Sequence, residues 1–547
     1  MVTWRKDAHN RRGLPPAALT RPRGVCDNPV NQSGRIMAGS DDHDWGPLGR
    51  PVFEDPSARA LSRIGVLDVG SNSVRLVVFD GAARSPAYFF NEKILCGLGA
   101  GLGTTGMLNP DGKERALSAI RRFKLLAEAM DLPPLSAVAT AAVRDAEDGP
   151  AFRDQVQRET GIRLYVIDGK EEARLSAQGV LLGWPEAEGL MCDIGGSSME
   201  LAEISRGEVG NRVTSGLGPL KLQGLEGGKK ALKAHIKGVM DELAQEMGTS
   251  HKRLFLVGGS WRAIAKLDML RRGYPLWVLH EYRMTPKDLK KTIDWIANSD
   301  LEKLRAETST SAERMSLVPV AAQVLKRLVQ TFHPKEIAIS AYGIREGLLY
   351  EQMPPRLRTR DPLIEACRFI EQKDARLPGF GGELFEFIRP LYNGVSPARM
   401  RIVKAACLLH DVSWRAHPDY RHEEAFQAAT RANLGGLTHQ ERVFLGLALL
   451  HRYKNNRDNC HFRDIFEILP EAERTRAEVL GKAMRFGAML AMDRPADQAQ
   501  LMWRPKKREL HLTVMPGATD LFGEVARSRF QGLAQALGAD TVVTRRR

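Results

Sequence analysis

Cysteine is scarce in this chain. Cys26, Cys96, Cys192, Cys367, Cys407 and Cys460 are spread over 547 residues with no CxxC spacing. That argues against a disulfide framework or a zinc cluster and fits a reducing cytoplasm. Long hydrophobic runs are lacking as well. No stretch of about 18 apolar residues occurs, so no membrane span is expected. The opening MVTWRKDAHNRRG holds no apolar segment that could serve as an export signal. Negative charge is in deficit: 66 Asp and Glu stand against 80 Lys and Arg, a net charge of +14. Such a balance is a statement about partners, and it favours polyanions such as nucleic acid, polyphosphate or an anionic surface. Arginine-heavy tails, with Arg545-Arg546-Arg547 at one end, account for part of the excess.

What is present is the composition of a soluble globular protein, 43% hydrophobic and 27% charged, in a chain too long for one core. Residues 1–58 show no clear period and are expected to be a disordered leader. Residues 59–189 and 190–352 alternate strands with helices, as in layered α/β domains with mixed sheets. Met353-Pro354-Pro355-Arg356 marks a linker. Residues 353–547 read as a separate, all-α C-terminal domain, with helices over 363–373, 383–391, 398–410, 440–452, 479–492 and 522–537, although 510–514 has the pattern of a strand.

The most informative stretch is 64–80, IGVLDVGSNSVRLVVFD. Two apolar runs flank Gly70-Ser71-Asn72-Ser73, which predicts a hairpin with a tight turn. Small residues leave the turn's N–H groups free to cradle an anion. Asp68 stands at the strand end, where a carboxylate could hold a hydrated cation beside a phosphate; an ordinary capped hairpin is the alternative. Asp193-Ile194-Gly195-Gly196-Ser197-Ser198 repeats this grammar 125 residues later, between Leu190-Met191-Cys192 and Met199-Glu200-Leu201. Two copies predict a duplicated α/β core with a cleft between its halves. A third small-residue loop, Gly258-Gly259-Ser260, runs into a helix and is suited to an anion. The glycine-rich 97–103 invites a dinucleotide reading, but it opens no clear helix after a buried strand, and a mobile loop is the alternative. Arg144 follows a strand end, where it could reach a phosphate or make a local salt bridge. Glu171 and Glu172 fall in the first turn of a helix, where carboxylates are favoured in any case.

In this order, DVGSNSVRLVVFD, TAAVRDAEDG, DGKEEARLSAQGV, DIGGSSMEL, VGGSWRAIAKL and AYGIREGLLYE resemble the exopolyphosphatase and guanosine pentaphosphatase family. That family belongs to the actin-like, sugar-kinase-like phosphotransferase superfamily. The resemblance covers residues 60 to 350 and implies duplicated actin-like (ribonuclease H-like) domains with a cleft between them. It implies processive hydrolysis of the terminal phosphate of polyphosphate, or of the 5′ γ-phosphate of guanosine pentaphosphate. By the same resemblance Glu172 is the catalytic base. Asn72, Ser73, Arg144, Gly195, Gly196 and Ser198 bind phosphate, and Asp68, Asp193 and Glu200 hold Mg²⁺ largely through waters, with K⁺ as a further cation. The family usually has glycine where this chain has Ser197, and often threonine where it has Trp261. A homodimer is expected from the family, with no membrane partner and no specific nucleic acid. Cys407-Leu408-Leu409-His410-Asp411, with His422, His451 and Asp493, resembles the HD phosphohydrolase scaffold of longer members. No histidine lies between Arg356 and Leu409, so a metal-free, degraded HD fold is expected, with His410 a buried structural residue. Arg356, Arg358, Arg360, Lys506, Lys507 and Arg508 could extend a basic track. A non-catalytic polyphosphate or alarmone sensor and an ATP-dependent kinase are alternatives; the retained carboxylates argue against the first and the EEAR motif against the second.

Overall fold

The computed structural model describes residues 63–80, 84–458 and 460–546; the expected leader, 1–58, lies outside them. Three sheets organise the described chain. The first runs through β1 (Ile64–Val69), β2 (Ser73–Phe79), β3 (Tyr88–Leu95), β4 (Ser136–Ala139) and β5 (Tyr165–Val166), in the order β3-β2-β1-β4-β5. Strands β1, β2 and β3 pair antiparallel, whereas β4 and β5 add parallel to β1. The second contains β6 (Gly189–Ile194), β7 (Met199–Ser205), β8 (Glu208–Ser215), β9 (Arg253–Val257), β10 (Arg283–Met284) and β11 (Glu336–Ile339). Its order, β8-β7-β6-β9-β11-β10, repeats the first sheet and adds β10 antiparallel at the edge. The duplication expected from two similar turns is thus present in the strand order itself. In both sheets the central strands are buried on each face, which is why they read as nearly unbroken Val, Leu and Ile runs.

The two turns are built alike. Gly70 N–H donates to Ser73 O at 3.0 Å, and Gly195 N–H donates to Ser198 O at 3.0 Å. The glycine-rich segment is tied down and braces the first turn. Cys96 and Gly97 N–H both donate to Asn72 O, and Gly99 N–H donates to Ser71 O at 2.8 Å.

The helix Gly169–Gly183, which carries the EEAR motif, packs along the helix Ile344–Gln352. This packing depends on absent side chains. A Cβ on Gly347 would lie 1.8 Å from Leu175 O, and one on Gly179 would lie 2.2 Å from Gly343 O. Backbone cannot yield as a flexible side chain can. Gly347→Ala is therefore expected to destabilise the protein by about 1–3 kcal/mol through overpacking, against the usual small gain of alanine in a helix. Denaturant unfolding that finds no loss would show the two helices to be free to part.

Beyond 353 a further core gathers around helices Pro397–Leu408, His439–Tyr453, Glu471–Leu490 and Glu524–Leu537. The all-α expectation for 353–547 is corrected here. Strands β12 (Ala499–Arg504), β13 (Glu509–Val514) and β14 (Asp540–Arg545) form a three-stranded sheet, β12-β13-β14. Strand β14 lies parallel to β13 across the helix Glu524–Leu537. Its pattern was masked because most of its side chains are exposed at the sheet edge, leaving little apolar signal. The helix Arg421–Arg431 also escapes sequence reading, since only four of its eleven residues are buried.

In this region Asp411 accepts two hydrogen bonds from the Arg376 guanidinium, from Nε at 2.7 Å and Nη2 at 2.6 Å. His410 is buried, with Nδ1 2.8 Å from Cys407 O. Burial and the nearby Arg452 push its imidazole down to about 4. The Asp411 carboxylate is thus already engaged by a guanidinium.

Candidate active site

The two similar turns face one cavity of about 220 Å³, lined by residues of both. Asp68, Asn72 and Ser73 contribute from the first, and Asp193, Gly195, Gly196 and Ser198 from the second; Glu172 lines it as well. Ser71 Oγ and Ser197 Oγ lie 3.1 Å apart, so a hydrogen bond joins one turn to the other. Ser197, the departure from the glycine expected at this position, is therefore the residue that ties the turns together. The third small-residue loop closes the wall. Gly258 takes φ +110°, and a Cβ there would fall 2.6 Å from Ile194 O and 3.0 Å from Asp193 Oδ1. Only glycine permits that conformation and that approach.

Glu172 is positioned by its helix. Asp168 caps the N-terminus, its carboxylate accepting from Glu171 N–H at 2.7 Å. Glu171 turns aside to pair with Arg174 at 2.6 Å. That leaves Glu172 at the cavity, its side chain 12% exposed. Glu172 Oε2 is buried and without a hydrogen-bond partner. Burial pushes the Glu172 carboxyl well above the usual carboxylate range, and Glu200 and Asp193 push it in the same direction.

The remaining two expected residues sit behind the lining. Arg144 Nη1 is 3.7 Å from Glu172 Oε2 and also donates to Ile167 O at 3.2 Å, while its Nε donates to Asp145 at 2.9 Å. Its guanidinium thus meets Glu172 and does not line the cavity. Glu200 is fully buried and stands opposite Asp193 across the β6–β7 pair. It accepts from Thr214 Oγ1 at 3.1 Å, and its Oε2 lacks a partner. Burial and Asp193 push its carboxyl up to about 8. Asp193, raised by burial, accepts a hydrogen bond from Ser176.

Sequence reasoning missed the cations. Arg75, Lys93, Arg262, Arg314 and Arg345 all line the cavity. They come from β2, β3 and three separate helices, so none carries a local signal. Arg345 Nη1 donates to Asp68 Oδ2 at 2.8 Å. Burial and the neighbouring Arg345 and Arg314 push the Arg262 guanidinium down to about 10. Partial burial and four arginines push the Lys93 ammonium down to about 8. The cavity thus crowds positive charge on one wall and buried carboxylates on another. An oxyanion would relieve the first and a cation the second.

Among the described residues no three His, Cys, Asp or Glu side chains form a ready-made metal cage. Mg²⁺ seldom uses one: it keeps its waters and binds through one or two carboxylates plus substrate phosphate. The unpartnered buried oxygen of Glu200 beside Asp193 fits such a cation.

A pH test follows from Glu200. Its carboxyl is raised from about 4.5 to about 8, so between those values the native metal-free protein keeps a proton that the unfolded chain has released. Stability from this group is complete below the lower value and is lost as pH rises through the upper one. Glu172 acts in the same direction. The metal-free, ligand-free protein is expected to lose stability from pH 5 to pH 8 (roughly the window between the two values), and Glu200→Gln to flatten that decline in denaturant titrations. An equal decline in the variant would remove Glu200 as its source.

Comparison with known proteins gives a consistent picture. The family model described as the Ppx/GppA phosphatase family matches residues 77–356, and that described as exopolyphosphatase, C-terminal, matches 380–543. Retrograde regulation protein 2 of Saccharomyces cerevisiae is 24% identical over 74% of this chain and 75% of its own. Exopolyphosphatase 1 of Mycobacterium bovis is 26% identical over 53% and 88%. A guanosine-5′-triphosphate,3′-diphosphate pyrophosphatase of Aeromonas hydrophila is 24% identical over 78% and 87%. A solved exopolyphosphatase from Cytophaga hutchinsonii is 23% identical and aligns over 53% of this chain and 97% of that one, with a TM-score of 0.49. No described helix is long and apolar enough to cross a membrane.

Proposed function

Since the chain belongs to the Ppx/GppA phosphatase family, we propose that it is a phosphohydrolase acting on phosphoanhydride bonds, an exopolyphosphatase that removes the terminal phosphate of inorganic polyphosphate. The observation that carries this reading is the meeting of two alike Gly/Ser turns, five cations and a buried glutamate at one cavity. Phosphoryl transfer to water needs an oriented water, charge neutralisation and a held leaving group. The turn N–H group of Gly196, with Asn72, Ser73 and Ser198, cradles the terminal phosphoryl oxygens, while Gly195 N–H holds the turn itself through Ser198 O. Arg262, Arg314 and Arg345 offset the charge that grows on them. Glu172, with its carboxylate free of internal hydrogen bonds at Oε2, orients the attacking water and takes its proton. Arg144 faces Glu172 and favours its ionised form. Asp193 and Glu200, with Asp68 across the cavity, are the residues that would hold Mg²⁺; when bound, the ion neutralises phosphate charge. A monovalent cation such as K⁺ would share the negative side of the site.

The superfamily fold proposed here is the duplicated actin-like one, resting on the repeated strand order of the two sheets. The part beyond 353 we read as an HD-like scaffold without a working metal site, since Arg376 occupies the Asp411 carboxylate. A homodimer and a cytoplasmic setting complete the proposal; the unpaired state of all five described cysteines fits the latter.

A second reading, guanosine pentaphosphate 5′-phosphohydrolase, is favoured by the longer match to the Aeromonas pyrophosphatase, 78% of the chain against 53% for the mycobacterial exopolyphosphatase. The cavity lining speaks for the polymer, because it includes no aromatic side chain on which a base could stack. Phosphate release from long-chain polyphosphate, tripolyphosphate and guanosine pentaphosphate, compared by kcat/KM, decides. The polymer is expected to be the best substrate. A preference for the nucleotide would select the second reading, and release from none would leave a binding sensor.

A further inference from the structure

Away from the catalytic cavity, the C-terminal core carries a second polar cavity of about 330 Å³. It lies between the helices Glu471–Leu490 and Glu524–Leu537 and the residues after helix His439–Tyr453. Its lining includes Asn455, Lys482, Arg485, Arg529, Gln531 and Gln535, with no acidic and no aromatic side chain. Among the described residues, neither arginine of this lining is paired with a carboxylate. Lys482 has Glu478 at 2.6 Å, and Arg457 lies 3.8 Å from the same residue, so the nearest carboxylate is already shared. Arg485 Nη1 donates to the neutral Asn455 Oδ1 at 2.7 Å. Arg529 Nε is buried without a partner. Arg452, itself buried with an unpartnered Nε, adds a third guanidinium behind them. Burial, Arg529 and Arg452 push the Arg485 guanidinium down to about 10, the response expected of partly buried cations crowded together.

We propose that this cavity is a binding site for a phosphate-class oxyanion, held by the Arg485 and Arg529 guanidiniums with Lys482 and the flanking amides. Two planar guanidiniums suit tetrahedral phosphoryl oxygens, which accept their N–H groups in pairs. Neutral Asn and Gln side chains add donors without adding repulsion. The volume admits phosphoryl units, and the lining offers no aromatic side chain on which a base could stack. The anion supplies the negative charge that the sequence omits here. Gly532 lies on the cavity wall, where a Cβ would meet nothing within 4 Å.

The anion could be free orthophosphate or pyrophosphate, or a phosphoryl unit within a longer chain. Calorimetric titration of the whole protein separates the two. The probes are orthophosphate, non-hydrolysable imidodiphosphate and long-chain polyphosphate, at matched chloride ionic strength. The proteins are wild type, Arg485→Gln/Arg529→Gln, Gly532→Glu and Gly532→Ala. Gly532→Glu starts from a position with open space at Cβ and adds a carboxylate at the cavity wall, so it tests the site even if the arginine variant folds poorly. With a free anion as ligand, wild type and Gly532→Ala show one class of sites more for the small anions than the other two variants do. With a chain segment as ligand, small-anion isotherms agree across all four, but polymer affinity falls about tenfold or more in the arginine variant and in Gly532→Glu, since one charged hydrogen bond alone is worth about a factor of ten. Release of phosphate from tripolyphosphate stays at the wild-type rate in either case. Identical isotherms for every probe in wild type and both disruptive variants would overturn the proposal and leave the hydrolytic site untouched.

Discussion

Glu172→Gln is expected to lower kcat for phosphate release by about 10²- to 10⁴-fold, the range of a lost general base, with polyphosphate affinity retained. An amide has nearly the same shape but cannot take a proton from water. The same substitution should leave the metal-free protein as stable or more stable at neutral pH. Glu172 sits among Glu200, Asp193 and Asp68, which all raise its carboxyl, and burial raises it further. Removing its charge relieves that crowding. The pairing of lost turnover with undiminished stability distinguishes a catalytic role from a structural one, since a structural glutamate would weaken the fold when replaced. Activity should also rise with pH along its acid limb, because only ionised Glu172 can act, and that limb should stand above the ordinary carboxylate range. Wild-type turnover in the glutamine variant would remove the base assignment.

The second large effect concerns Arg345→Met. Arg345 and Asp68 face each other at 2.8 Å with side chains only 13% and 17% exposed. Burial works against the Arg345 charge, but Glu346 and Asp68 more than offset it and hold the guanidinium above its usual range. Deleting one partner of a buried pair leaves the other charge without compensation, at a cost of about 3–5 kcal/mol. Denaturant unfolding should show that loss. Adding Asp68→Asn should restore part of the stability, because the stranded carboxylate is gone, and a double-mutant cycle measures the coupling. Turnover should not recover with it, since the cavity still lacks a cation and a carboxylate. Strictly additive losses in the cycle would show that the two side chains act independently.

How much of this was legible beforehand differs between the turns and the wall. The turns announce themselves locally: an apolar strand, an aspartate, then glycine and serine, twice. The matching hydrogen bonds at Gly70 and Gly195 and the repeated strand order are direct consequences of that pattern. The cationic wall is different. Arg75, Lys93, Arg262, Arg314 and Arg345 are spread along the chain, and each alone reads as a surface charge. Only folding brings them to one cavity. Arg144 shows the reverse case, where a strand-end position suggests a phosphate ligand but the fold turns the guanidinium to Glu172. Ser197 stands where the family usually has glycine, and its hydroxyl meets Ser71, a contact no single segment could predict. Of the sheet β12-β13-β14 only β13 was legible, where 510–514 has the pattern of a strand; the exposed edge positions of β14 carry no hydrophobic alternation.

The central claim is that solvent attacks the terminal phosphorus of a chain end held between the two turns. Hydrolysis of polyphosphate in ¹⁸O-enriched water, with the products resolved by mass spectrometry, tests it most directly. The account predicts that solvent oxygen enters the released orthophosphate and leaves the shortened chain unlabelled, and that Glu172→Gln suppresses this incorporation. Label in the remaining chain, or transfer of the phosphoryl group to a nucleotide without solvent label, would contradict it.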